Sequence, residues 1–263
     1  MPRLTVTAAM AASAIAAFVC LNARSARACA GDQVLLAADF ATADASWGVP
    51  NANFAIKDGA VVLKPDARRG YKVLDNAFLF DDADICVTAT AVDIAKPEES
   101  AAGLAFWARD YRNAYFLLVA TNGFFKIARL VDAAWVAAPL DWTASDAIVQ
   151  GVGKPNALRL TIKGQTLAVT INGKPVTTLQ AQQPAGASLI GLYAESGAKP
   201  DTWSFNGLKV TNVPAAAAAA PPGPAITGPA ASQAAAASPL QTPQPPVATQ
   251  ESSPHPASAP AQN

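Results

Sequence analysis

The sequence has little of the chemistry that most catalytic and metal sites use. Its 263 residues include a single histidine, His255, which lies in a C-terminal segment rich in alanine and proline. A folded domain upstream of that segment has no imidazole, which excludes Ser-His-Asp and Cys-His nucleophilic arrangements and histidine-ligated metal sites there. No glycine-rich phosphate loop stands between a strand pattern and a helix pattern. Carboxylates and aromatic surfaces remain as the candidate chemistry.

Clustered positive charge is also missing. Lysine and arginine together number 19, equal to the acidic residues, and they form no run. Three of the basic residues lie within residues 1–28, so the chain without that segment carries 16 basic and 19 acidic residues, a net charge of −3. Phosphate backbones are bound by clustered lysine and arginine, so nucleic acid is not a predicted partner.

Residues 1–28 predict an export signal. Arg3 gives a thin positive start, residues 8–21 are apolar, and Ala26-Arg27-Ala28 fits a small-x-small cleavage pattern. The apolar stretch is too short for a permanent membrane helix, and no later segment approaches a run of about 18 apolar residues. We therefore expect a periplasmic or secreted protein with no transmembrane segment after cleavage.

The chain has only three cysteines, and Cys20 falls within the predicted signal. Cys29 and Cys86 would then be left in a compartment where disulfides persist, and we predict that they pair. Cleavage after Ala28 keeps Cys29, whereas cleavage after Ala30 removes it. A lipid anchor on Cys29 is a third alternative, but the leucine usual three positions before a lipidated cysteine is absent, so we do not expect one.

The rest of the chain divides into a domain at residues 29–213 and a tail at residues 214–263. The tail contains no lysine, arginine, phenylalanine, tyrosine or tryptophan. Such a segment cannot bury enough apolar surface to offset the entropy of ordering, so we predict a disordered Ala/Pro-rich tail.

The domain has the pattern of an all-β protein. Leu158, Leu160 and Ile162 alternate with polar residues, and Asn172-Gly173 is a strong type I′ hairpin signal. Turn signals recur every 8–12 residues, which is typical of a two-sheet antiparallel sandwich. The predicted strands are 34–40, 54–56, 60–63, 84–92, 103–109, 114–120, 124–131, 156–162, 167–171, 175–179, 188–194 and 203–211.

Several segments together resemble a known superfamily. They are the ADF at residues 38–40 with Trp47-Gly48, AGLAFWAR at 102–109, VTINGKPV at 169–176 and WSFNGLKV at 203–210. Over most of residues 33–212 the sequence resembles the concanavalin A-like lectin/glucanase jelly rolls, and it is most similar to bacterial laminin-G-like domains and those related to 3-keto-disaccharide hydrolases. The resemblance implies a jelly-roll sandwich whose last strand pairs beside the first. It specifies function poorly, because this fold hosts lectins, hydrolases and adhesion modules.

Carboxylate-pair catalysis is weakly represented. The jelly-roll glucanases carry a Glu-x-Asp-x-x-Glu motif on one strand, and this sequence has none. Glu195, at the end of a predicted strand, and the nearby Asp201 are the weak catalytic candidates for glycoside hydrolysis, which needs two acids. Noncatalytic carboxylates at the rim of the domain are the alternative interpretation.

Asp81, Asp82 and Asp84 form a tight acidic cluster. Calcium takes six or more oxygen ligands, and many proteins of this superfamily bind it, so these residues are weak calcium candidates. The cluster lacks the spacing of a dedicated calcium loop, and a solvated strand entry is the alternative. No other cofactor is expected.

Aromatic and arginine residues concentrate around one predicted strand end and turn. The candidate ligand-binding residues are Trp107, Arg109, Tyr111, Arg112 and Tyr115. Period-2 alternation places Trp107 and Arg109 on one face, and Trp135 and Trp142 follow on the next connection. Sugar rings stack on aromatic side chains, and their hydroxyls bond to polar ones. The alternative is that Trp107 and Tyr115 belong to the core.

Three functions follow from these observations. The first is an exported, non-catalytic binding domain for a glycan or an envelope component. The second is a carboxylate-dependent sugar hydrolase of the 3-keto-disaccharide hydrolase type. The third is a structural envelope module that uses the tail as a spacer.

Overall fold

The structure is a computed structural model that describes residues 29–215. The predicted export signal and nearly all of the predicted tail lie outside the described residues. Within the described part, no helix has the length and apolar character needed to cross a membrane.

Residues 29–215 form fifteen strands and a short 3-10 turn at Ala45–Trp47. The strands are β1 (Val34–Ala38), β2 (Phe54–Lys57), β3 (Ala60–Leu63), β4 (Gly70–Phe80), β5 (Ala83–Asp93), β6 (Ala101–Ala108), β7 (Ala114–Ala120), β8 (Phe124–Val131), β9 (Ala134–Trp135), β10 (Leu140–Ala144), β11 (Pro155–Lys163), β12 (Thr166–Ile171), β13 (Lys174–Gln180), β14 (Ser188–Glu195) and β15 (Thr202–Thr211).

The strands form two antiparallel sheets. The first sheet has eight strands in the order β13-β12-β11-β5-β15-β3-β2, with β1 also paired to β15. The second sheet has seven strands in the order β10-β8-β7-β6-β14-β4, with β9 also paired to β8. The first and last strands lie side by side, with Leu36 opposite Val210. The predicted all-β, two-sheet antiparallel class is therefore confirmed.

The main core lies between the inner faces of the two sheets. Leu158, Leu160 and Ile162 of β11 point inward and are at most 1% exposed, as their alternation predicts. The hairpin between β12 and β13 turns at Asn172 (φ 50°) and Gly173 (φ 81°). Two successive positive φ angles are those of the predicted type I′ turn.

Three strands were not predicted, and β4 is the longest of them. Its sequence GYKVLDNAFLF contains Asp75 and Asn76, which are typical of turns rather than strands. The pairing between β4 and β14 also shifts between Leu189 and Gly191. The alternation on which a strand prediction depends is therefore interrupted in the middle of β4. The other two, β9 and β10, are short strands at the edge of the second sheet.

The start of the described chain is fixed on the outer face of the first sheet. Cys29 forms the predicted disulfide with Cys86 of β5, with 5.6 Å between their Cα atoms. Beside it, the fully buried carboxylate of Asp84 accepts the backbone N–H of Ala30 at 2.7 Å. The same carboxylate accepts hydrogen bonds from Arg159 Nε and the Thr161 hydroxyl, both at 2.8 Å.

Candidate functional site

A cavity of about 470 Å³ opens at one end of the second sheet. We call it the end cavity. Its walls come from the hairpin of β6 and β7, from the end of β8, and from the loop of residues 181–187 that precedes β14. Three predicted ligand-binding residues line it: Trp107, Arg109 and Tyr115. A volume of this size lies within the range of small-ligand sites.

Trp107 occupies a bulge that the sequence does not reveal. On β14, Leu189 pairs with Ala108 and Gly191 with Ala105, so Phe106 and Trp107 together oppose the single residue Ile190. Trp107 takes a positive φ of 47°, a conformation that costs an aromatic residue about 1–3 kcal/mol. Such bulges re-aim side chains and are frequent beside functional sites.

Because of this bulge, the alternation that the sequence predicts for Trp107 and Arg109 does not hold in β6. Phe106 and Trp107 both point into the main core, whereas Arg109 lies beyond the end of β6 and is exposed. Trp107 is 1% exposed and Tyr115 is 4% exposed, and their rings meet edge to face at 5.3 Å. Neither ring is an open stacking platform; both form the apolar inner wall of the end cavity.

One polar atom of this wall is unsatisfied. The indole N–H of Trp107 is buried and has no hydrogen-bond acceptor among residues 29–215. Buried donors are almost always paired, and an unpaired one costs about 1–3 kcal/mol.

Arg129 and Gln182 line the cavity as well, and sequence reasoning missed both. The Arg129 guanidinium lies 5.2 Å from the centre of the Tyr115 ring and donates to Gln182 Oε1 at 3.1 Å. The Tyr115 hydroxyl donates to the backbone carbonyl of Gln182 at 2.8 Å, and burial raises the pKa of Tyr115, which keeps this hydroxyl protonated. A signal for Arg129 existed: it follows Phe125 and Ile127 in the inward-facing phase of β8.

Arg109 fixes the opposite wall. Its Nη1 donates to the carbonyl oxygens of Ala185 and Ala187, the latter at 3.3 Å. The loop of residues 181–187 is thus held by the side chains of Arg109, Tyr115 and Arg129. The guanidinium nitrogens of Arg109 other than Nη1 have no hydrogen-bond partner within residues 29–215 and are available at the cavity.

Tyr111 and Arg112, the other two predicted ligand-binding residues, lie in the turn between β6 and β7 and do not line the end cavity. Tyr111 is 46% exposed. Arg112 Nη2 donates to the Asp132 carbonyl at 3.3 Å. The structure therefore brings together three of the five predicted residues and separates the other two.

A second feature lies on the outer face of the second sheet. Phe116, fully buried there, packs against Tyr193 at 4.8 Å and Trp135 at 5.2 Å between ring centres. Trp135 is 43% exposed and covers this cluster, and Trp142 is 39% exposed, with Lys126 Nζ 4.9 Å from the centre of its ring. Small residues, among them Ala101 and Ala105 of β6, complete the face.

Glu195, a weak catalytic candidate, ends β14 beside this aromatic cluster. Its carboxylate accepts the Tyr193 hydroxyl at 3.0 Å. Burial raises the pKa of Glu195, although the Tyr193 hydrogen bond and the Lys126 charge act in the opposite direction. Burial and the Glu195 charge also raise the pKa of Tyr193 well above its ordinary value. This carboxyl therefore favours its protonated form more than an exposed glutamate does.

Asp201, the other weak catalytic candidate, is fully buried. One of its oxygens accepts the backbone N–H of Ala95 at 2.8 Å, and the other accepts that of Gly197 at 3.0 Å. Both oxygens are thus used to hold two loops together. A carboxylate without solvent access cannot attack a sugar or activate water, so the structure does not supply the acid pair that Glu195 would need from Asp201.

The three weak calcium candidates do not converge. Asp84 is used by Arg159, Thr161 and Ala30, as described above, and Asp82 accepts the Gly164 N–H at 2.7 Å. Asp81 is exposed. Within residues 29–215, the one group of three potential metal ligands within 4.8 Å of one another is Asp84 with Cys29 and Cys86, and those cysteines are in the disulfide. The three carboxylates therefore do not meet at one point in the structure.

Comparisons with known proteins identify the fold. No family model matches the sequence, and no curated protein matches it. A non-specific endo-β-1,3(4)-glucanase from family GH16 superposes with a TM-score of 0.50 at 11% identity, over 70% of this chain and 96% of its own. A native glycosidic hydrolase also gives 0.50, at 10% identity, over 68% of this chain and 97% of its own.

The carbohydrate-binding module CBM66 from Bacillus subtilis gives a TM-score of 0.48 at 16% identity, over 62% of this chain and 92% of its own. The two hydrolases share their fold with this protein. The protein has the concanavalin A-like jelly-roll fold, as the sequence resemblance implied. Identities this low identify the fold alone.

Proposed function

We propose that this protein binds a glycan in the end cavity and does not turn it over. The observation that carries the proposal is the composition of the cavity: two aromatic rings form its inner wall, and the planar polar groups of Arg109, Arg129 and Gln182 line it. Ligand sites typically combine an apolar wall with a few convergent polar groups. Sugar rings present apolar C–H faces and hydroxyl edges that suit both.

Binding without catalysis is favoured because the candidate acids do not act as a pair. Glu195 lies on the outer face of the second sheet, and the carboxylate of Asp201 is buried and used by two backbone N–H groups. Neither residue is among those that line the end cavity.

The test is a glycan array followed by calorimetric titration of the strongest ligand. We expect Trp107→Phe, which keeps an aromatic ring but changes the shape of the inner wall, to weaken binding by about tenfold, or about 1.4 kcal/mol. Trp142→Ala, on the other face of the second sheet, is expected to leave the affinity unchanged. Loss of binding in Trp142→Ala with none in Trp107→Phe would place the glycan on the outer face and refute the cavity.

A second candidate function is sugar hydrolysis at Glu195. It is favoured by the raised pKa of this carboxyl and by the exposed Trp135 beside it, and the two neighbours at a TM-score of 0.50 are named as sugar hydrolases. Release of reducing sugar or turnover of a keto-disaccharide, lost in Glu195→Gln, would support this function over simple binding. An absence of both binding and turnover, with co-purification of envelope proteins, would instead favour the structural module.

We also propose that the protein works outside the cytoplasm after removal of residues 1–28. The disulfide of Cys29 supports this, because such bonds persist in oxidising compartments. Mass spectrometry of the mature N-terminus is the test. A chain starting at Cys29 is expected; a start at Gly31 or a lipid on Cys29 would refute cleavage after Ala28 without an anchor.

A further inference from the structure

The charged residues that line the end cavity are both arginines. Arg109 and Arg129 bring guanidinium groups to it. None of the described residues that line it is an aspartate or a glutamate. Its lining therefore carries positive charge with no carboxylate to balance it.

Three acceptors in its wall already have a donor. The Gln182 carbonyl accepts the Tyr115 hydroxyl, and Gln182 Oε1 accepts Arg129. The Ala185 carbonyl accepts Arg109. A neutral sugar hydroxyl both donates and accepts, whereas a carboxylate only accepts and therefore suits the guanidinium donors better.

The nearest acid in sequence is directed elsewhere. Asp110 follows Arg109, but its Oδ1 accepts the backbone N–H groups of Arg112 at 2.6 Å and Asn113 at 2.8 Å. Desolvation acts to raise the pKa of Asp110, but these hydrogen bonds outweigh it and lower the pKa. The charge of Asp110 is thus held within its own turn and does not occupy the guanidinium groups at the cavity.

We propose that the ligand of the end cavity is an acidic sugar, recognised through a carboxylate such as that of a uronic acid. This inference rests on the proposed function and specifies its substrate class. Guanidinium groups bind carboxylates through paired, charge-assisted hydrogen bonds. The carboxylate accepts from Arg109 or Arg129.

The test compares matched ligands that differ at one carbon. Methyl glucoside and methyl glucuronide, with the corresponding galactose and mannose pairs, are titrated by calorimetry at low and at physiological ionic strength. We expect the acid of at least one pair to bind at least tenfold more tightly than its neutral partner. The advantage should shrink as salt screens the charge.

Two arginine variants test which residues cause the preference for acidic over neutral sugars. Arg129→Gln and Arg109→Gln are each expected to reduce the acid-over-neutral preference to less than threefold. Lys174→Gln removes the same charge from an exposed position on β13 of the first sheet and is the matched control, expected to keep the preference. Because Arg109 and Arg129 also hold the loop of residues 181–187, thermal unfolding and neutral-sugar affinity are measured in each variant. If either property changes in a variant, the role of charge is judged instead from how salt affects acid binding by the unmodified protein.

The outcomes separate the two proposals. Equal binding of acid and neutral sugars, or binding of neutral glycans alone, overturns the acidic-sugar inference and leaves glycan binding intact. Binding of sulfated sugars but not of uronic acids overturns the carboxylate assignment. Absence of binding to any glycan overturns both proposals.

Discussion

The outer face of the first sheet carries hydroxyl and charged side chains, whereas that of the second sheet carries alanines, leucines and aromatic rings. On β5 the outward positions include Thr88 and Thr90, which are half-buried. On β7 they include Phe116 and Leu118, which are completely buried. Because the outward side chains of the second sheet are buried like its inward ones, its outer face is a second core. The difference implies that apolar burial stabilises the second sheet on both faces and the first sheet on its inner face.

The sharpest test of this comparison is a pair of truncations. Phe116→Ala is expected to lower the free energy of unfolding by about 3–5 kcal/mol, because a fully buried ring leaves a cavity. Thr90→Ala, on the outer face of the first sheet, is expected to change it by less than about 0.5 kcal/mol. Chemical denaturation measures both. A cost below about 1 kcal/mol for Phe116→Ala would mean that the outer face of the second sheet is not a second core.

The first sheet is instead stabilised on its outer face by covalent and charged contacts. Replacing Cys29 and Cys86 together by serine is expected to cost about 2–4 kcal/mol, since the disulfide restricts the unfolded chain. Reductant should lower the stability of the unmodified protein to that of the double variant and leave the variant itself unchanged. A double variant as stable as the unmodified protein would show that the contacts of Asp84 alone hold the N-terminal segment.

The smallest expected effect concerns the buried carboxyl of the second sheet. Because burial raises the pKa of Glu195 above its ordinary value of 4.5, its protonated form favours the folded state. The stability that this group contributes is present below pH 4.5 and is lost as the pH rises through the folded-state pKa. Glu195→Gln should therefore match the unmodified protein at pH 4 and exceed it in thermal stability at pH 7. A difference that grows toward low pH would contradict the assigned direction.

The same contrast explains how much the sequence could predict. On the first sheet, strict alternation as in Leu158, Leu160 and Ile162 was enough to identify strands and their inward faces. On the second sheet, β6 and β7 are continuous apolar runs, which indicate burial but not which face a residue occupies. Period-2 reasoning therefore failed at Trp107, where a bulge opposite Ile190 turns two successive residues inward.

The end cavity was partly predictable for a related reason. Trp107, Arg109 and Tyr115 are close in sequence, so composition alone drew attention to them. Arg129 and Gln182 reach the same place through strand pairing and a distant loop, which no local pattern encodes. Their contribution could be recognised only once β8 and the loop of residues 181–187 were in position.

The adjacency of β1 and β15 has a consequence for protein engineering. Gln33 and Asn212 exchange hydrogen bonds, from the Gln33 N–H to Asn212 Oδ1 at 2.8 Å and from the Asn212 N–H to the Gln33 carbonyl at 3.0 Å. The two ends of the domain are thus neighbours, which favours circular permutation. A short linker would join these two ends, and new termini would be placed at the Asn172-Gly173 turn. This change would open the connection between β12 and β13, keep all fifteen strands and leave the end cavity intact.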